Sequence, residues 1–124
     1  QKKTKVNKLS TICIKSYKDY HYLLTKEILF LKADNNTTDF HMANDSVTTS
    51  FKTLKTYENV LPINFKRIHK SYIVNSSHVS RINFGKSVCT VKQGANKIPF
   101  TKTYLDKVNK MNHILIESTI HTLH

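Results

Sequence analysis

Apolar and polar positions alternate in short blocks along most of the chain, separated by small polar clusters. This period of two predicts strands. Residues 9–16 read as a strand with Ile12 and Ile14 on one face, and Lys18-Asp19 turns the chain into a second strand over residues 20–24. Ile28-Leu29-Phe30-Leu31 is an unbroken apolar run, which predicts a strand over residues 27–33 buried on both faces. Asp34-Asn35-Asn36 is a turn by composition, and residues 37–43 return as the second arm of a hairpin. Asn44-Asp45 turns the chain again into a short strand over residues 47–49.

The period then changes. Phe51, Leu54, Glu58 and Leu61 lie at helical spacing with Tyr57 beside them, predicting a helix over residues 51–60 that Ser50 caps and Pro62 ends. The next stretch, residues 65–75, concentrates Lys66, Arg67, His69 and Lys70 ahead of a β-branched run closed by Asn75. Regular alternation would put Phe65, Arg67 and His69 on one face and Lys66 and Ile68 on the other, so each face mixes apolar with charged groups. Tyr72, Ile73 and Val74 read as buried. Asn75-Ser76-Ser77 is a turn; strands over residues 79–84 and 87–92 flank Gly85-Lys86, and a strand over residues 97–100 follows. Thr101 is suited to cap a helix over residues 102–111 with Leu105, Val108 and either Met111 or Asn112 inward. Residues 111–124 form a C-terminal extension that either continues this helix or makes a short one of its own. The expected architecture is a mostly β, antiparallel domain of about nine or ten short strands with two or three short helices.

With 124 residues the chain is expected to form one domain, and its 39% apolar content, spread throughout, excludes wholesale disorder. It does not begin with Met, so it is read as part of a longer protein. No apolar run reaches the length of a membrane span and no signal-peptide pattern opens the chain, so no membrane contact and a cytoplasmic location are expected. Cys13 and Cys89 stand far apart within apolar runs and are read as small core residues of a reducing compartment.

Charge changes the picture. The net charge is +12, and residues 64–110 carry ten Lys or Arg against one acid, Asp106. Such a balance points to a polyanionic partner. Enzymatic classes find no support. The chain has no nucleophile elbow, no metalloprotease motif and no close pair of carboxylates, and its two glycines cannot build a phosphate-cradling loop. No catalytic residues, cofactor or metal are therefore expected. His121 and His124 could meet on a helix, but no carboxylate or cysteine lies near them in sequence. Neither a helix-turn-helix nor the aromatic pattern of an RNA-recognition sheet is present.

Base reading needs directed donors on loops or element starts, and Asn35, Asn36, Thr38, Lys70, Lys102 and Thr103 are the candidates. Lys102 falls in the first turn of a predicted helix, where backbone N–H groups also attract phosphate. Two readings follow: sequence-specific DNA binding by loops on a β scaffold, or a module that binds polyanions or RNA without sequence preference.

The stretch Phe65-x-Arg67-Ile68-His69-x-Ser71-Tyr72-Ile73-Val74-Asn75 resembles the hallmark of the LytTR DNA-binding domain, an output module of bacterial response regulators. Ile28-Leu29-Phe30-Leu31, the helix Leu54 to Leu61-Pro62, and Ile98-Pro99-Phe100-Thr101-Lys102 resemble three further family segments in the same order. The resemblance spans about residues 10–110. It implies a transcriptional regulator of the two-component kind, whose loops enter the grooves of double-stranded DNA, typically at direct repeats and with dimers forming on the DNA. An upstream receiver or sensor domain is expected with it. It also implies base reading from Asn36, Thr38, Lys70, Lys102 and Thr103. Lys66 joins Arg67, His69, Ser71 and Asn75 as groups that contact the DNA backbone or hold the loop. Lys102 stands where Arg is common in the family.

Overall fold

The computed structural model describes residues 10–120. Leu9, His121 and His124 lie outside them. The strands are β1 (Thr11–Ser16), β2 (Asp19–Leu24), β3 (Ile28–Asp34), β4 (Thr37–Met42), β5 (Val47–Ser50), β6 (Phe65–His69), β7 (Tyr72–Asn75), β8 (Val79–Asn83), β9 (Val88–Val91) and β10 (Asn96–Pro99). The α-helices are α1 (Leu54–Glu58) and α2 (Leu105–Glu117), and three single 3-10 turns accompany them. All strand pairs are antiparallel: β1–β2 form a hairpin, β10-β9-β8 a small sheet, and β5-β4-β3-β7-β6 a five-stranded sheet. The mostly β expectation and nearly every strand position agree with this architecture.

The five-stranded sheet is the middle layer. On one face Ile28, Leu31, Phe40, Met42, Phe65 and Ile73 pack with Ile14 of β1 and with Leu54 and Tyr57 of α1. On the other, Leu29, Phe30, Ile68 and Val74 pack with Cys89, Val91 and Ile98 of the small sheet and with Val108 and Met111 of α2. Strand β3 is central, which explains its unbroken apolar run. Ile28 and Phe30 do not share a face, as strict alternation requires, because the pairing with β4 slips between them. This bulge sends Ile28 to one core and both Leu29 and Phe30 to the other.

A second bulge corrects the expectation for the cationic stretch. The pairing of β6 with β7 slips between Arg67 and His69, so Arg67 opposes Ile73 whereas His69 opposes Tyr72. Adjacent residues of β7 face opposite sides, so Arg67 and His69 do too. Ile68 is free to bury completely. Tyr72 is only half-buried, against the expectation, because it lies at the sheet end and packs edge-on to His69 (ring centroids 5.3 Å apart).

Two further expectations are corrected, and one left open is decided. The first helix begins at Leu54, not Phe51, and Ser50 does not cap it. The buried Ser50 hydroxyl bonds to the Tyr57 hydroxyl and accepts from the Lys52 N–H. Thr38 Oγ1 donates to the Lys52 carbonyl (2.9 Å), so the chain bends at residues 51–52 outside the helix and Phe51 is exposed. Of the two courses expected for the tail, it takes the first: the last helix continues past residue 111 to Glu117, with Met111 buried. Cys13 is exposed, because the inward positions of its strand are taken by Ile12 and Ile14; Cys89 is buried, and burial pushes its thiol up to about 12.

Asn75 joins these layers. Fully buried, it donates from Nδ2 to the Ile28 carbonyl (2.8 Å) and the Thr25 carbonyl (3.4 Å). Its Oδ1 accepts from the Ser77 N–H (2.9 Å) and Asn64 Nδ2 (2.7 Å). Asn75→Ala should lower unfolding stability by about 3 kcal/mol, since buried donors and acceptors lose their partners; urea titration measures it. In the native protein a thiol reagent should modify Cys13 rapidly and Cys89 only after unfolding, which mass spectrometry resolves.

Candidate nucleic-acid interface

Three connections meet at one end of the five-stranded sheet. The β3–β4 turn holds Asn35 and Asn36, both exposed, between the paired residues Asp34 and Thr37. Asn35 adopts the left-handed conformation (φ 57°), which Asn tolerates better than most residues. The β6–β7 turn holds exposed Lys70 and half-buried Ser71 between His69 and Tyr72. Because β7 pairs with β3, the two turns are neighbours, and the Ala33 N–H donates to the Ser71 carbonyl (2.9 Å). The third connection leads from β10 into α2 through a 3-10 turn at Lys102–Tyr104. It is tied to the same end by the Thr101 N–H, which donates to the Ile68 carbonyl (3.1 Å). Thr101 makes no side-chain cap bond; its backbone anchors the turn instead. Lys102 and Thr103 are exposed there.

The sequence candidates therefore divide. Asn35, Asn36, Lys70, Lys102 and Thr103 are surface groups brought together by backbone hydrogen bonds and strand pairing. Thr38 is not among them: it is completely buried, and its hydroxyl is committed to Lys52. The alternation of β4 dictates this, because Thr38, Phe40 and Met42 all point inward. Asn75 is likewise interior and serves the fold.

Arg67 is occupied by the protein itself. Its Nη1 donates to Glu58 Oε1 (2.9 Å), its Nη2 to the Lys70 carbonyl (2.5 Å) and its Nε to the His69 carbonyl (3.4 Å). Its guanidinium also lies over the Tyr104 ring (5.8 Å to the centroid). His69 Nδ1 accepts from the Ser71 N–H (2.9 Å), closing the same turn from its other side. Arg67 and His69 thus hold the loop that presents Lys70, and Lys66 lies half-buried beside them. A cleft of about 330 Å³ lined by Asn35, Thr53, Lys55, Arg67, Lys70 and Ser71 opens between the first two turns.

Glu58 is the acid of this region. It accepts from Arg67 and, through Oε2, from Lys107 Nζ of α2 (3.2 Å). Burial by itself raises its pKa, but the hydrogen bonds and charges of Arg67 and Lys107 outweigh that and hold it below the usual carboxylate range.

Further cations were not singled out in the sequence. The outer side of the small sheet carries Arg81, Lys86 and Lys97 around a shallow groove with Asn83 and Thr90, and none of the three cations forms an ion pair among the described residues. The turn holding Lys86 lies near the third connection, because the Phe100 N–H donates to the Ser87 carbonyl (3.0 Å). Only strand alternation over β8 to β10 could have grouped them. Lys92, by contrast, sits at the far end and is spent on the Ala43 carbonyl (2.7 Å) and Asp45 (2.8 Å). Among the described residues no group of His, Cys, Asp and Glu is arranged to hold a metal, and no helix is long and apolar enough to cross a membrane.

A family profile described as the LytTr DNA-binding domain matches residues 18–113. The sensory transduction protein LytT of Bacillus subtilis (strain 168) is 29% identical over 93 residues, which make up 73% of this chain but 38% of that protein. A solved LytTr DNA-binding domain from Bacillus cereus shares the fold, with a TM-score of 0.69 at 20% identity over 83% of this chain and 96% of that one. A mostly β scaffold with three connections gathered at one sheet end, matched by this profile over most of its length, belongs to the LytTr DNA-binding domain family.

Proposed function

We propose that the domain recognises a specific sequence in double-stranded DNA through its three gathered connections, as the output module of a transcriptional regulator. The observation that carries this reading is the convergence of Asn35, Asn36, Lys70, Lys102 and Thr103 on one sheet end, each exposed and each on a turn fixed by backbone hydrogen bonds. Side-chain amides and ammonium groups supply the directed donors that base edges require. Lys66 and the outer cations Arg81, Lys86 and Lys97 lie farther out and suit phosphate contacts, which fix register without reading sequence. Arg67, His69 and Ser71 shape the central turn, while Asn75 and Thr38 are interior groups that hold the scaffold elsewhere.

The name of the Bacillus subtilis relative, a sensory transduction protein, supports a place in a signalling regulator with a receiver or sensor domain in the same polypeptide. Binding at direct repeats, with two copies assembling on the duplex, completes the proposal.

Selecting sites from a random duplex pool tests it. One motif should be enriched, and random duplex or RNA should compete poorly for the selected site; equal competition would assign the basic surface to polyanions in general. With about six phosphate contacts, log K should fall against log salt with a slope near −5. Lys70→Ala and Lys102→Ala should each reduce discrimination at one position of the motif by about 1–3 kcal/mol. A loss equal on every sequence would make them phosphate contacts instead.

A further inference from the structure

Glu58 is an acid set among cations on a domain built to attract phosphate. With Lys66, Arg67, Lys107 and Lys110 it lines a groove of about 380 Å³. By charge alone it opposes DNA, since a negative group within a Debye length of the phosphates weakens their attraction. Its contacts suggest another role. One oxygen holds Arg67 of β6 and the other holds Lys107 of α2, so a single carboxylate from α1 links the elements that carry the second and third connections. The side chains of Arg67 and Glu58 are only 15% and 24% exposed, so this pair is shielded more than an ordinary surface ion pair. Tyr104 completes the set, with Arg67 and Lys107 each 5.8 Å from its ring centroid.

We infer that Glu58 is a positioning residue for base recognition: by orienting Arg67, which clamps the carbonyls of His69 and Lys70, it fixes the reading turn relative to the start of α2 before DNA arrives. The inference rests on the proposed function. Its physical basis is preorganisation. A turn already held in the binding geometry loses less freedom on docking, and this favours the one sequence that fits it. Nonspecific attraction to phosphate needs no such geometry.

The two effects of Glu58 have opposite signs, so they separate in one experiment. The full chain carrying Glu58→Gln is compared with the unaltered chain on the selected duplex and on a scrambled duplex of equal length, at one salt concentration. The expected result is a roughly tenfold weaker affinity for the selected site, about the worth of one base contact, with affinity for the scrambled duplex unchanged or stronger. In a Lys70→Ala background the same substitution should leave the ratio of the two affinities nearly unchanged, because the turn it steadies has lost its reading group. Without DNA, the amides of Lys70 and Ser71 should exchange hydrogen faster in the variant. Three results overturn the inference: tightening on both duplexes, which makes Glu58 a charge and nothing more; equal weakening on both with a lower melting temperature, which makes it a part of the fold; or unchanged exchange at the turn. Absence of any preference in the unaltered chain overturns the proposed function itself, and the positioning role falls with it.

Discussion

The pairing of β3 with β4 on one side and β7 on the other is the constraint on which the interface depends. It sets two turns next to each other, and burial of β3 on both faces keeps that register from slipping. A shift by one residue would carry Leu31 and Ile73 out of one core and Phe30 and Val74 out of the other. Loss on both faces at once is a much larger penalty than a half-exposed sheet would suffer. The third connection depends on the same register, because the carbonyl that anchors it belongs to Ile68, the residue extruded by the bulge in β6.

Two β-bulges therefore do chemical as well as geometric work. The one in β3 divides an unbroken apolar run between two cores, which lets a single strand hold together α1 on one face and α2 with the small sheet on the other. The one in β6 separates Arg67 from His69. Arg67 then faces α1 and reaches Glu58, while His69 faces Tyr72 and closes the turn through Ser71. Without that slip both side chains would compete for one face, and the turn carrying Lys70 would be held from one side only.

Much of this was legible in the sequence, and the failures have a common cause. Strands were readable because apolar alternation and the small polar clusters at 34–36, 44–45 and 75–77 report local preference directly. The central strand was readable because only burial on both faces tolerates four apolar residues in succession. What local pattern could not reveal was any departure from strict periodicity imposed by a distant partner. The bulges are one case. The bend at residues 51–52 is another, held out of the helix by the bonds of Thr38 to Lys52 and of Tyr57 to Ser50. Thr38 itself, chosen for lying in a polar turn, is the first inward position of β4. The surface candidates Asn36, Lys70, Lys102 and Thr103 were legible because turns are exposed. Glu58 was visible only as a helical residue, since its partners lie nine and forty-nine positions away in sequence.

The backbone of Asn35 bears on how such a domain can change its target. A left-handed residue costs roughly 1–2 kcal/mol for most side chains, least for Asn, Asp and Gly. Position 35 is therefore restricted to a few residue types whatever the neighbouring base, while Asn36, Lys70 and Lys102 carry no positive φ and are free to vary. Under the proposed function, divergence of specificity among descendants of this chain runs through those three positions, with position 35 preserved as the hinge on which the β3–β4 connection folds back.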